Sequence, residues 1–441
     1  MARDDLVVIG FDSEYTLDPQ TNSNIILSYQ YAGRTAKGTW SGIIFPDHAN
    51  RERIKMATLL GKAIEDGRAK GLIGYKWPKV IHAAGHFTRA DIAAFKDFSR
   101  LKDQFDGVRN TFATLSRPWK TTYNDSSNNR HPLKVYLTDT TLLAPAKTSL
   151  ATLGDWYGLN KVDLPRGMIE HMDVLLRDNP QLFQEYAIRD AEIAARHAWA
   201  MIEFAEANMG LEKAPVTLGG LAVRHVKALW KQEGITEDEV LGSTEEWQLV
   251  WNKKAGRKIP RKKTVHLPAV SENEAFASEC YHGGRNEAYY FGFTPVDQWT
   301  DYDLVHAYAT AMVGIGMPDY ARLRETKDAH ELTADVLGLA RIRFQFPEST
   351  RFPCLPVRYS DGLIFPLSGE TCVASPEIQL ALAMGAELTI ERGLIVPWKP
   401  EVRPFELFAK YIWDKRTACD KGSVEERTWK EIGNSLYGKV A

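Results

Sequence analysis

Leu6-Val-Val-Ile-Gly-Phe-Asp-Ser-Glu14 is an apolar run that ends on two carboxylates one residue apart. A short, continuous apolar run reads as a buried strand. Alternation along a strand places Asp12 and Glu14 on the same face of the sheet. Working outward, Ile25–Tyr31 and Thr39–Phe45 read as two more strands with short polar connections, so the first three strands form an antiparallel meander. Ile54–Ile64 has helical spacing. Val80-Ile81 reads as a strand leading to a helix over Ala90–Phe98, and Leu150–Tyr157 and Leu182–Phe204 are helical by periodicity. The fold class is therefore α/β (α+β), with a mixed sheet flanked by helices over residues 1–210.

Further along, strand-like segments lie at 296–312, 339–346 and 362–366. Pro404–Arg416 is helical, with Phe405, Phe408, Tyr411 and Ile412 on one face. Asp420–Ser423 is a turn, and Ser423 with Glu426 forms a capping-box signature for the last helix. The C-terminal end is thus an α-hairpin. Residues 251–263 hold seven Lys or Arg and read as an exposed loop or β-ribbon. A solvated basic loop and a phosphate-contacting surface both remain open for it.

A chain of 441 residues has room for two to four domains, and 44% hydrophobic with 25% charged residues is a globular composition. A net charge of −2 gives no bulk signature of a nucleic-acid partner. Cys280, Cys354, Cys372 and Cys419 are far apart and form no C-x-x-C, which argues against a disulfide framework or a zinc site. No apolar run approaches the ~18 residues of a membrane span. The start, Met-Ala-Arg-Asp-Asp, leads straight into a strand without a signal peptide. The expected location is cytoplasmic, with no membrane partner.

Chemistry concentrates in a few constellations. Tyr186 and Asp190, four apart, share a helix face. Gly85-His-Phe-Thr-Arg-Ala-Asp91 adds an acid at the start of a predicted helix. The order D-x-E, then D, then Y-x-x-x-D resembles the 3′–5′ proofreading exonucleases of the DEDD superfamily, in the variant with Tyr. The resemblance implies an RNase H-like domain in which Asp12, Glu14, Asp91 and Asp190 hold two divalent metals, Mg²⁺ or Mn²⁺, roughly 3.5–4 Å apart. Tyr186 would position the attacking water. The family's middle motif usually has Asn and then an aromatic directly before the Asp. Here Ala90 precedes Asp91, and His86 and Phe87 a turn earlier substitute as stacking and positioning groups for DNA. Ser149-Leu150-Ala-Thr-Leu153 resembles the single-stranded-DNA contact element of protein-primed polymerases. Lys161-Val-Asp-Leu164 resembles their exonuclease-site lysine element, which would neutralise the scissile phosphate.

Tyr281-His-Gly283-Gly284 resembles the element linking exonuclease and polymerase domains in family B, where paired glycines allow DNA to approach the backbone. Asp303-Leu304-Val-His-Ala-Tyr308 is similar to family B motif A. Asp303 would bind metal with Leu304 beside it, and Tyr308 would lie under the incoming sugar. Asp301 is a rival for the metal role, but Asp303 alone sets Tyr308 at the right spacing. Lys430-Glu-Ile-Gly-Asn434-Ser-Leu-Tyr437-Gly438 matches motif B, with Lys430, Asn434 and Tyr437 on one helix face. By resemblance Lys430 and Arg416 hold the triphosphate, Tyr437 packs on the nascent base pair, and Gly438 admits the template.

The implied protein is a family B DNA polymerase of the protein-primed or primer-independent phage and mobile-element group. Its exonuclease domain would span 1–210, the linking motif and a partial palm 211–400, and an α-hairpin fingers region 401–441. Its partners would be DNA and a dNTP, and a terminal protein or a C-terminal polymerase half. Motif C and the thumb should follow motif B, so the expectation is a chain incomplete for polymerisation. A stand-alone 3′–5′ exonuclease and a non-catalytic DNA-binding protein remain as alternatives.

Overall fold

The computed structural model describes residues 6–440 apart from 19, 109–111, 116, 214–215, 253–255, 297–298, 361 and 400. It divides into two compact units, Met1–Leu221 with Cys419–Ile432, and Ala222–Ala418 with Gly433–Ala441.

The first unit begins with β1 (Val8–Asp18), β2 (Ser23–Thr35), β3 (Gly38–Ile44), α1 (Met56–Ala69) and β4 (Val80–Gly85). Two short helices follow, α2 (Thr88–Ile92) and α3 (Phe98–Leu101), then a small ribbon of β5 (Asp106–Val108) and β6 (Phe112–Thr114). The hairpin β7 (Trp119–Asn124) and β8 (Arg130–Asp139) precedes α4 (Leu150–Trp156), α5 (Met172–Asp178) and the long α6 (Pro180–Met209). The sheet order is β3-β2-β1-β4-β8-β7. β1, β2 and β3 form the expected antiparallel meander, while β4 runs parallel to both β1 and β8.

Alternation along β1 decides what each of its residues meets. Val7, Ile9 and Phe11 join Leu59, Leu60 and Ile64 of α1 in the main core. The even positions face α6. Val8 packs with Ala198, Trp199 and Ile202, and Gly10 sits against Ala191 and Ala195. A Cβ on Gly10 would stand 2.1 Å from the Ala191 carbonyl oxygen and 2.7 Å from the Ala195 nitrogen, so glycine alone permits this approach. Asp12 and Glu14 continue the same face toward the first half of α6. Beyond Glu14 the β1–β2 register shifts: Glu14 pairs with Ser28 and Tyr15 with Ile26, leaving Leu27 as the extra residue of a bulge.

The helix expected over Ala90–Phe98 is instead interrupted between α2 and α3. Its middle is drawn to the start of α1, where Lys96 N donates to Ile54 O (2.8 Å) and Asp97 accepts from Met56 N (3.1 Å). Strands β7 and β8 had no counterpart in the sequence reading.

The second unit continues α7 (Leu218–Gln232) and holds α8 (Glu237–Leu241), the ribbon β9 (Ser243–Asn252) and β10 (Arg257–His266), α9 (Pro268–Ser271), α10 (Glu274–Glu279) and α11 (Ala307–Val313). Its sheet uses β11 (Met317–Pro318), β12 (Arg324–Thr326), β13 (Val336–Gln345), β16 (Ser368–Ala374) and β17 (Glu387–Lys399), with β14 (Val357–Tyr359) and β15 (Gly362–Ile364) as a separate pair. Helix α12 (Ser375–Ala383) packs on this sheet through Ile378 and Ala381. Helix α13 (Glu406–Thr417) follows, and α14 (Val424–Val440) carries the boundary between the two units. Ser423 Oγ accepts from Glu426 N at 3.1 Å, as its capping signature predicts.

The strand-like reading of 296–312 is corrected. Among the described residues no strand pairs with this segment, and residues 299–305 are irregular until His306, at φ 55, opens α11. Tyr302, Leu304 and Val305 consequently stay exposed.

Candidate active site

Carboxylate oxygens of Asp12, Glu14 and Asp190 lie within 4.8 Å of one another. Among the described residues this is the one group of His, Cys, Asp or Glu so poised for a metal. β1 supplies the first two and α6 the third, brought over the strand by the close packing at Gly10. Asp91 lies beside the cluster rather than in it, accepting from the backbone N (3.2 Å) and hydroxyl (2.9 Å) of Ser13. Lys161 Nζ pairs with Asp190 Oδ2 at 2.8 Å and stands 4.9 Å from the Tyr186 ring centroid. The buried Oδ1 of Asp190 has no hydrogen-bond partner. An orphaned carboxylate oxygen beside two further carboxylates is a donor set that fits a hard divalent cation.

Groups absent from the sequence reading hold these residues in place. Gln30, opposite Asp12 on β2, donates from Nε2 to Asp12 Oδ2 at 2.7 Å. Ser28 donates in turn to Gln30 Oε1 at 3.1 Å, and both residues are fully buried. Asp139, at the end of β8, is also fully buried. It accepts from Phe87 N, Thr88 N, Thr88 Oγ1, Thr141 N and Thr141 Oγ1, at 2.6–3.1 Å. These bonds hold Phe87 at φ 61, a left-handed conformation uncommon for an aromatic residue. The residue is 42% exposed. His86 Nδ1 lies 3.0 Å from Thr140 Oγ1, and burial pulls its imidazole down to about 4. A Ser and a Gln alternating inside the apolar stretch Ile25–Ala32 were the sequence signal for the β2 pair.

Ser149 caps α4, its hydroxyl accepting from Thr152 N at 3.1 Å, and Leu150 packs beside Leu153 and Ile193.

Burial raises all four acids above the usual carboxylate range. For Asp12 the charges of Asp91 and Asp190 add to burial, and for Glu14 those of Asp12 and Asp190. Burial raises Asp91 against the bonds from Ser13, and Asp190 against the pull of Lys161. Burial also works against the charge of Lys161, but Asp190 and Tyr186 outweigh it and hold the ammonium above its ordinary value. One lysine thus acts on three of the four acids, Asp12, Glu14 and Asp190.

The pH dependence follows with a definite sign. In the unfolded chain these acids titrate near about 4. Folded, they keep protons to higher pH, so stability falls as pH rises above that value. We expect metal-free protein to melt at a lower temperature at pH 8 than at pH 5.5. Mn²⁺ should raise the melting temperature, and more at pH 8. Calorimetry with and without chelator checks this; a metal increment that shrinks as pH rises contradicts it.

In the second unit, Tyr281, Tyr308 and Tyr437 come together. Tyr308 and Tyr437 stack with centroids 4.6 Å apart and planes at 21°, and Tyr437 donates to the Tyr281 hydroxyl at 3.5 Å. That bond, with burial, pushes the Tyr437 phenol up to about 12. A Cβ on Gly284 would lie 4.0 Å from the Tyr308 hydroxyl, while Gly283 has open space around it. Arg416 Nη1 is 2.9 Å from His306 Nε2. Lys430, Asn434 and Gly438 are exposed on α14, with nothing within 4 Å of a Cβ built on Gly438. Asp303 and Leu304 are exposed, and among the described residues Asp303 belongs to no group of three or more potential metal ligands.

No protein-family model matches the chain. It is 37% identical, over an alignment 463 positions long, to the primer-independent DNA polymerase PolB of Escherichia coli, covering 98% of this chain and 53% of that protein. The chain therefore spans about half the length of the curated relative it matches. Its fold is similar to that of Phi29 DNA polymerase. An orthorhombic crystal form matches with a TM-score of 0.56 at 14% identity, covering 98% of this chain and 68% of that one. The same polymerase complexed with single-stranded DNA gives 0.55 at 12% identity, covering 98% and 67%. These likenesses agree with the resemblance carried by the motifs from Asp12 to Gly438, and the chain is a relative of the primer-independent family B DNA polymerases along nearly its whole length.

Proposed function

We propose that this chain is the exonuclease-bearing and nucleotide-binding part of a DNA polymerase, and that its Asp12–Asp190 centre removes nucleotides from the 3′ end of DNA. The observation that carries the reading is the convergence of carboxylate oxygens of Asp12, Glu14 and Asp190 within 4.8 Å, together with the orphaned Oδ1 of Asp190. Asp12, Glu14 and Asp190 would hold Mg²⁺ or Mn²⁺, with Asp91 completing a two-metal site. Bound there, such ions supply a nucleophilic hydroxide and charge stabilisation for the leaving oxygen.

The chain's own groups do the rest. Tyr186, over the Lys161 ammonium, orients the water, and Lys161 offers a fixed positive charge to the scissile phosphate. Phe87 presents its ring to a terminal base. In this reading residues 1–210 form the exonuclease domain, 211–400 a linker and partial palm, and 401–441 the fingers. Asp303 and Leu304 would take a polymerase metal, Tyr308 the sugar, Arg416 and Lys430 the triphosphate, with Asn434, Tyr437 and Gly438 along the nascent pair. The gathering of Tyr281, Tyr308 and Tyr437 supports this half. Polymerisation also needs a carboxylate partner for Asp303.

The test is direct. Purified chain with Mn²⁺ and a 5′-labelled single-stranded oligonucleotide should give a ladder of products shortened from the 3′ end, and a chelator should stop it. An intact oligonucleotide under conditions where Mn²⁺ binds removes the exonuclease reading and leaves a DNA-binding protein.

A further inference from the structure

Residues 257–263 of the basic stretch noted in the sequence lie on β10, one strand of an exposed ribbon, and the structure adds an aromatic face to it. Trp247, Leu249 and Trp251 alternate along β9 and are 69%, 67% and 60% exposed. Their direct cross-strand partners on β10 are Lys262, Pro260 and Lys258. Directly opposed residues share a face of the pair. One face of the ribbon is therefore a row of Trp, Leu and Trp beside a row of Lys, Pro and Lys. Lys262 Nζ lies 6.0 Å from the Trp247 ring and also pairs with Glu245 at 2.6 Å. Arg261 and Arg257 project on the other face, opposite Gln248 and Asn252.

Charge is concentrated here against the trend of the chain. Residues 247–263 contain seven Lys or Arg and no acid, in a protein of net charge −2. Two of the seven, Lys253 and Lys254, lie outside the described residues and are counted from sequence alone. Lysines and a proline on a ribbon edge discourage strand pairing between molecules. That purpose explains Pro260 and the charges, but not two exposed tryptophans on the same face.

We infer that this ribbon is a binding surface for single-stranded DNA. Trp247 and Trp251, four residues apart and so about 14 Å along the strand, offer two stacking faces. Lys258 and Lys262 stand opposite them on the adjacent strand, where a phosphate would compete with Glu245 for the Lys262 ammonium. Unpaired bases expose the faces that stack on indole, whereas a duplex hides them, so the aromatic row selects single strands. The choice of DNA as the polyanion rests on the proposed function above.

The experiment uses the full chain in excess chelator, which removes any trimming, and reads anisotropy of a fluorescein-labelled oligo-dT of about 20 nucleotides. The double variant W247S/W251S should weaken binding at least about tenfold. The variant K258Q/K262Q should reduce the slope of log affinity against log salt by about 1.4, from about 0.7 per phosphate on a single strand. Both should keep the circular dichroism and melting temperature of the parent, since the four side chains are exposed. An unchanged oligonucleotide affinity in W247S/W251S overturns the proposal. So does a result in which the tryptophan pair abolishes binding to phosphatidylserine vesicles but leaves oligonucleotide binding intact. Mn²⁺-dependent trimming of a trinucleotide by the same variants reports the exonuclease reading separately, so either idea can fail alone.

Discussion

Asp12→Ala should reduce 3′ shortening of single-stranded DNA by at least about a thousandfold, to the limit of a gel assay, while raising the melting temperature of the metal-free protein. The first effect follows from the site. Asp12 is one of three carboxylates that converge within 4.8 Å, and it is fixed by the Gln30 bond. Losing a metal ligand removes both activation of the water and stabilisation of the leaving group. The second effect follows from repulsion. Asp12 charge raises Glu14, and Asp91 and Asp190 raise Asp12 in return. Deleting it relieves the others, with a gain of roughly 2–4 °C if the relief is about 1 kcal/mol. Activity lost together with stability gained separates a functional ligand from a structural carboxylate, whose removal lowers both. The variant Gln30→Leu should show the intermediate pattern: Mn²⁺ affinity reduced about 10–100-fold, as for other partners of metal ligands. Trimming that survives Asp12→Ala ends the assignment of this centre.

Gly10→Ala is expected to cost about 3 kcal/mol or more, and to abolish Mn²⁺ stabilisation although Gly10 touches no metal ligand. Its added methyl would sit 2.1 Å from a carbonyl oxygen and 2.7 Å from a backbone nitrogen of α6. Backbone inside a helix cannot step aside as a flexible side chain can, so the helix must lift from the strand. Tyr186 and Asp190 ride on that helix, so they leave Asp12 and Glu14 behind. Gly74→Ala, with open space around its Cβ, serves as the control and should stay within about 0.5 kcal/mol. Chemical denaturation of the two variants, with and without Mn²⁺, measures both claims. A Gly10→Ala protein as stable as the control shows that the contact does not hold α6.

The first unit was legible where hydrophobic period is strong. β1, β2, β3, α1 and α6 announce themselves by apolar runs or helical spacing, and Asp12, Glu14, Tyr186, Lys161 and Asp190 do meet as the motif order implied. The interrupted α2–α3 region was not legible, because the breaking forces are the long-range bonds at Ile54 and Met56 rather than a local Pro or Gly. Gln30 and Asp139 escaped for a similar reason. A buried polar group declares its purpose only when its partner is known, and those partners lie 18 and 52 residues away. The segment before α11 misled in the opposite direction. Val305 and its neighbours have strand-like composition, but a strand exists only where another accepts its hydrogen bonds, and none is described beside it.

The bulge at Leu27 divides the first hairpin into two segments with different tolerance for changes in length. Upstream of it, the pairing from Val8 to Glu14 is continuous, so dropping one residue between Phe11 and Glu14 would rotate a carboxylate into the apolar layer under α1. Downstream, the step between Glu14 and Tyr15 has already absorbed one unmatched residue, and the strands run out to exposed turn residues at 20–22. Insertions and deletions drifting into this hairpin can therefore accumulate toward its tip without reaching the acids. The stretch that bears the chemistry is constrained in length as well as in letters.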